Sequence, residues 1–105
     1  MKRGDIVWYE FQKPNKTRPV LIITRDAAIP ELNAVTVIPI TTVIRNLPTE
    51  VFLSTGDGMP EDCVANVDGI QNVSKHLLFG HITQLSDEHL DQVLPAIRFA
   101  FGFED

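Results

Sequence analysis

Apolar residues in this chain fall in short runs, divided by polar stretches rich in turn formers. Ile6-Val7-Trp8-Tyr9-Glu10-Phe11 is the first run, opened by Gly4-Asp5, and it reads as a strand. The polar segment Gln12-Lys13-Pro14-Asn15-Lys16-Thr17 reads as a loop. A second strand is predicted from Arg18 to Thr24; its run Val20-Leu21-Ile22-Ile23 has no polar alternation, the mark of a strand covered on both faces. Asp26 to Asn33 is a connection. The β-branched stretch from Val35 to Thr41 predicts a third strand, and Pro39 within it, lacking an N–H, predicts an edge or a bulge there. Glu50 to Leu53 and Cys63 to Val67 predict a fourth and a fifth strand, with the turn cluster Thr55 to Pro60 between them. Weaker strand signals cover Gly69 to Val73 and Leu77 to Thr83.

The period then changes. Ser86 is a helix N-cap candidate, with Asp87 and Glu88 in the first turn, where negative charge is favoured. Leu90, Val93, Leu94, Ile97 and Phe101 recur at helical spacing, and Gly102 is a stop. Pro95 falls inside this pattern and predicts a kink or a shortened helix. Many short strands followed by one helical segment predict a mainly β fold, a small barrel or sandwich with a C-terminal helix. With 105 residues and 44% hydrophobic content, one domain spanning residues 1–105 is expected.

Charge is uneven. Net charge is −5, but residues 1–45 hold seven basic and four acidic residues, while residues 46–105 hold two basic and ten acidic. A site for an anion therefore draws on Lys13, Lys16, Arg18, Arg25 and Arg45. Screening beyond about 8 Å lets such a patch act on a net-acidic protein; composition leaves open whether these residues form a patch or are scattered. The start, Met1-Lys2-Arg3-Gly4-Asp5, has no apolar run behind its charges, so no signal peptide is expected. No apolar run reaches the ~20 residues of a membrane helix. A single cysteine, Cys63, forms no internal disulfide. These features point to a cytoplasmic protein.

The familiar chemical motifs are missing. Gly56-Asp57-Gly58 lacks the following Gly-Lys-Ser/Thr of a phosphate loop and reads as a hairpin turn. One cysteine and three dispersed histidines give no zinc spacing. His76 and His81, the close pair, would point to opposite faces of a strand. Cys63, in an apolar run, reads as an inert core thiol. There remain Arg18, locked by Pro19 at the entrance of the most hydrophobic strand, and Thr41-Thr42 at the end of the third. Arginine offers a fork of donors that fits phosphate, and a threonine hydroxyl can act beside it. An arginine at a strand entrance equally suits a plain strand-end charge. Strand alternation lets only one of Thr41 and Thr42 meet a phosphate.

The order Arg3-Gly4-Asp5-Ile6-Val7-Trp8, Arg18-Pro19-Val20-Leu21-Ile22-Ile23-Thr24, then Val37-Ile38-Pro39-Ile40-Thr41-Thr42 resembles the MazF/PemK (Kid) toxins of type II toxin–antitoxin systems. The tail supports this through Leu53, Val64 to Lys75, and Ile82-Thr83-Gln84-Leu85-Ser86. The resemblance covers nearly the whole chain. It implies a small SH3-like β-barrel with a C-terminal α-helix, acting as a homodimer. It implies a toxin that is a metal-independent, sequence-specific endoribonuclease without a cofactor, inhibited by a cognate antitoxin. Such an enzyme cleaves single-stranded RNA by attack of the 2′-hydroxyl, leaving a 2′,3′-cyclic phosphate and a 5′-hydroxyl. The family's catalytic arginine and threonine match Arg18 and Thr41. The arginine would stabilise the charged phosphorane and is a candidate acid; the threonine would hold a non-bridging oxygen. Lys16, Arg25, Thr42, Arg45, Gln71 and Asn72 are the implied RNA contacts. Two departures stand out: the loop Gln12 to Thr17 is short, and Asp68 to Asn72 lacks the arginine often found there. Two other readings of the same fold are a CcdB-like gyrase poison, which is not an enzyme, and a catalytically inactive barrel that only binds.

Overall fold

The computed structural model describes residues 1–12 and 15–103. Lys13 and Pro14 of the predicted loop, and the C-terminal Glu104 and Asp105, lie outside the described residues. The elements run β1 (Asp5–Gln12), β2 (Asn15–Ile22), β3 (Ala34–Thr41), β4 (Glu50–Leu53), β5 (Cys63–Asn66), β6 (Gln71–Ser74), β7 (Leu78–Gln84), α1 (Asp87–Leu90) and α2 (Val93–Phe101). Short 3-10 turns cover Ile29–Glu31, Thr55–Asp57, Val67–Gly69 and Lys75–Leu77. The strands form one antiparallel, curled sheet in the order β4-β5-β3-β2-β1-β7, with β6 also paired to β3. The fold is mainly β with a C-terminal helical segment, as the pattern predicts.

Both faces of the central strands are covered, which explains their unbroken apolar runs. Ile6, Leu21, Ile38, Ile40 and Leu53 pack on one face with Val93 and Ala96 of α2. Val7, Tyr9, Val20, Ile22, Val35 and Val37 pack on the other. Odd and even residues of β2 thus feed two separate cores, and polar alternation vanishes.

Three predictions are corrected. First, β2 starts at Asn15, not Arg18. Its pairing with β1 extends to Gln12 opposite Asn15, so ladder hydrogen bonds carry the strand through polar residues that local composition assigns to a loop. Arg18 therefore lies inside a strand, opposite Tyr9. Second, Pro39 lies in a central strand, but where β3 changes partner. Residues up to Val37 pair with β6, and pairing with β5 starts at Ile40. The missing donor falls in that gap. Gly69 packs so closely over the proline ring that a β-carbon there would lie 2.7 Å from Pro39 Cγ. Third, the tail is two helices. Ser86 caps α1, its Oγ accepting from His89 N at 3.2 Å. The chain breaks at Asp91–Gln92, so Pro95 is the third residue of α2, a first-turn position whose N–H has no intrahelical acceptor to lose. Leu94, expected on the buried stripe, is 53% exposed, and Phe101 is exposed too. Gly102 ends α2 in the left-handed region at φ 73°, as expected of a stop. No helix among the described residues is long and apolar enough to cross a membrane.

Candidate functional site

The site grows from a parting of strands. β2 and β3 pair from Ile22–Val37 to Val20–Pro39 and no further. Beyond that point β2 continues beside β1, while β3 turns to β5 through Ile40–Ala65 and Thr41–Val64. A groove of about 430 Å³ opens between them. Trp8, Lys16, Thr17, Arg18 and Pro19 line it from β1 and β2; Ile40 and Thr41 of β3 and Thr42 just after it line the other side. Met59, Pro60, Glu61 and Cys63, leading into β5, close the third side. Arg18 of β2 and Thr41 of β3 both lie beyond the last β2–β3 pair, and both line the groove.

Each side chain has a definite setting. Arg18 is half-buried, on a backbone held by β1, and has no ion-pair partner among the described residues. The Thr41 hydroxyl accepts from Val43 N at 3.2 Å, which fixes its oxygen and leaves its proton to donate. Strand alternation would separate Thr41 from Thr42, but β3 ends at Thr41, and both line the groove. Burial pushes the Cys63 thiol up to about 11, with Asp62, Glu61 and Asp57 adding to the rise. It is a neutral thiol at physiological pH, not a nucleophile.

The wall that carries Met59 to Cys63 is well anchored. Gly56-Asp57-Gly58 joins the antiparallel strands β4 and β5 through the turn Thr55–Asp57. Asp57 Oδ2 accepts from Ser54 N at 2.8 Å, and Asp57 O accepts from Thr83 Oγ1 at 3.0 Å. His89 bridges the same turn to β4: its Nδ1 meets Asp57 Oδ1 at 3.1 Å, and its Nε2 donates to Phe52 O at 2.7 Å. Chiefly the Ser54 N–H, aided by His89 and the Ser54 hydroxyl, holds the Asp57 carboxyl below its usual value despite some desolvation.

The other residues singled out in the sequence divide among several places. Lys16 and Thr42 join Arg18 and Thr41 in the groove. Arg25 and Asn72 line a second cavity with Thr24 and Thr36. Thr36 is five residues from Thr41 along β3, a separation of about 16 Å. Gln71 sits opposite Val37, its Nε2 donating to Gly69 O at 3.1 Å. Arg45 lies on the exposed stretch after β3, its N–H donating to Glu50 Oε1 at 3.0 Å. Neither Gln71 nor Arg45 lines either cavity. The basic residues therefore divide: Lys16 and Arg18 line the groove, Arg25 lines the second cavity, and Arg45 lines neither.

The histidines stand apart. His76 lies in a 3-10 turn and bonds Ser74, His81 on β7 meets Asp5, and His89 holds the Asp57 turn. No cluster of metal-ligating side chains occurs among the described residues. The sequence reading missed Trp8, Met59, Pro60 and Glu61. Trp8 enters the groove through the β1–β2 pairing, which sets it opposite Pro19, next to Arg18. Glu61 carried no signal, because only the fold brings the turn before β5 to the groove.

The chain matches, over residues 2–101, the family model described as PemK-like, MazF-like toxin of type II toxin–antitoxin system. A Mycobacterium tuberculosis protein named probable endoribonuclease MazF5 is 36% identical over 99 residues, 93% of this chain and 90% of the relative. Endoribonuclease EndoA of Bacillus subtilis is 29% identical over 113 residues, 100% of this chain and 97% of the relative. Among solved structures, the Mycobacterium tuberculosis toxin MazF-mt6 matches with a TM-score of 0.88 at 34% identity, covering 96% of this chain and 99% of that one.

Proposed function

The chain belongs to the PemK-like, MazF-like family of type II toxin–antitoxin toxins, and from that premise we propose that it is a sequence-specific endoribonuclease cleaving single-stranded RNA in the Arg18–Thr41 groove. One observation carries this reading: strands β2 and β3 part beyond Val20–Pro39, and Arg18 and Thr41 line the one open groove between them. Arg18 binds the scissile phosphate through its fork of donors. It stabilises the charge that builds on the phosphorane as the 2′-oxygen attacks. A guanidinium does not give up its proton, so its part is electrostatic and not that of an acid. Thr41 donates its hydroxyl proton to a non-bridging oxygen. The products are a 2′,3′-cyclic phosphate and a 5′-hydroxyl.

Lys16 and Thr42 hold the adjoining backbone. Arg25, Asn72, Gln71 and Arg45 serve as contacts for RNA that runs on outside the groove. The protein works in the cytoplasm as a homodimer of one domain per chain, restrained by an antitoxin whose acidic, partly disordered segment covers the basic residues. Incubating the purified protein with a long RNA in EDTA tests the reading. Discrete cuts with cyclic-phosphate ends are expected. Intact RNA would favour a gyrase poison or an inert binding barrel.

A further inference from the structure

Attack by a 2′-hydroxyl needs a group that removes its proton, and the groove holds few titratable side chains. We propose that Glu61 is this general base; the inference rests on the ribonuclease reading above. The titratable groups lining the groove are Lys16, Arg18, Glu61 and Cys63. Lys16 and Arg18 are cations with no lone pair to offer. Cys63 is buried, and its thiol is pushed up to about 11. His76, His81 and His89 lie elsewhere, each already bonded to another side chain. Glu61 is exposed on the groove wall, and its carboxylate takes part in no ion pair among the described residues. It is the anionic acceptor that remains.

The placement fits the chemistry. A carboxylate in a groove for a polyanion repels the substrate, so binding alone would not favour it there. Glu61 follows Pro60, shortly beyond a turn tied down by Ser54, Thr83 and His89, and lines the groove together with Lys16 and Arg18 of β2. In the step, the 2′-O–H bond breaks and its proton passes to the Glu61 carboxylate. The 2′-oxygen–phosphorus bond forms, the bond from phosphorus to the 5′-oxygen breaks, and the departing 5′-oxygen takes a proton from water. Glu61 then returns its proton to solvent.

The test compares wild type, Glu61→Gln and Glu61→Asp in single-turnover cleavage. Affinity is measured separately on the same RNA carrying a 2′-deoxy sugar at the cut. Glu61→Gln is expected to lose about 10²–10⁴ in rate, with equal or tighter binding to the 2′-deoxy RNA. Glu61→Asp, which keeps a carboxylate, should cut at an intermediate rate. Cleavage by Glu61→Gln within about threefold of wild type would overturn the assignment, since a general base contributes far more. So would a retained rate with a changed cut sequence, which would make Glu61 a reader of bases. In both cases wild type still cuts, and the ribonuclease reading survives. A wild type that cuts no RNA removes both.

Discussion

At the scale of single residues, the site depends on where two side chains stand on their strands. Arg18 lies inside β2 with β1 holding its backbone, so truncating its side chain removes charge without undoing a strand. Arg18→Ala is expected to lose about 10²–10³ in cleavage rate, the usual loss for one charge-stabilising donor, with an unchanged circular dichroism spectrum. A variant that kept near wild-type cutting would take Arg18 out of the site. Thr41 and Thr42 both line the groove, so facing direction does not decide between them; hydrogen bonding does. Only the Thr41 oxygen is fixed, by Val43 N. Thr41→Val should therefore cost much more activity than Thr42→Val, measured on the same RNA, and the reverse order would give Thr42 the phosphate. Arg18 and Thr41 were visible in the sequence because each adjoins a long apolar run. Glu61 was not, because its relevance comes from long-range pairing of β5 with β3.

At the scale of elements, the strand sequence was legible from apolar runs and turn formers, since burial on two faces leaves a strong local signature. Boundaries were not legible where tertiary pairing overrides local preference. Asn15 to Thr17 are polar yet belong to β2, because β1 runs alongside them. Pro95 looked like a helix breaker, but the chain had already broken at Asp91–Gln92, and the proline fell in a first turn. The turn Thr55–Asp57 is the element that the groove wall depends on. Asp57→Ala removes its cap and the bond to His89, and should lower stability by about 1 kcal/mol, the usual loss for a missing cap, read by thermal melting. The folded state holds the Asp57 carboxyl below its usual value, so its stabilising effect is present above the unfolded pKa. It is lost as pH falls through the folded value. Wild type should therefore lose stability on acidification more steeply than Asp57→Asn; parallel curves would mean that the turn does not depend on this charge. Gly58 ends the turn at φ 96°, and a β-carbon there would collide with Thr83. Gly58→Ala should move the groove wall, and with it cutting, more than its surface position suggests.

At the scale of the whole molecule, a net charge of −5 must be reconciled with an anionic substrate. Beyond about 8 Å in physiological salt the acidic half is largely screened, so RNA responds to the cations it touches. Two of these, Lys16 and Arg18, line the groove; Arg25 lies with Asn72 in a separate cavity. An RNA confined to one groove should show a log–log salt slope of about −1.4, and one that also reaches Arg25 about −2.1, at roughly 0.7 per phosphate on a single strand. Anisotropy titrations with short and longer uncleavable RNAs across a salt series separate these values. Arg25→Glu should bring the longer RNA to the slope of the short one. Arg98 is exposed on α2, whose buried residues Val93 and Ala96 face the first core, and it lines neither cavity. Arg98→Glu should therefore leave both slopes and both affinities unchanged. If it weakened RNA binding as much as Arg25→Glu does, the RNA would run across the helical face, and the path from the β2–β3 groove toward Asn72 would be wrong.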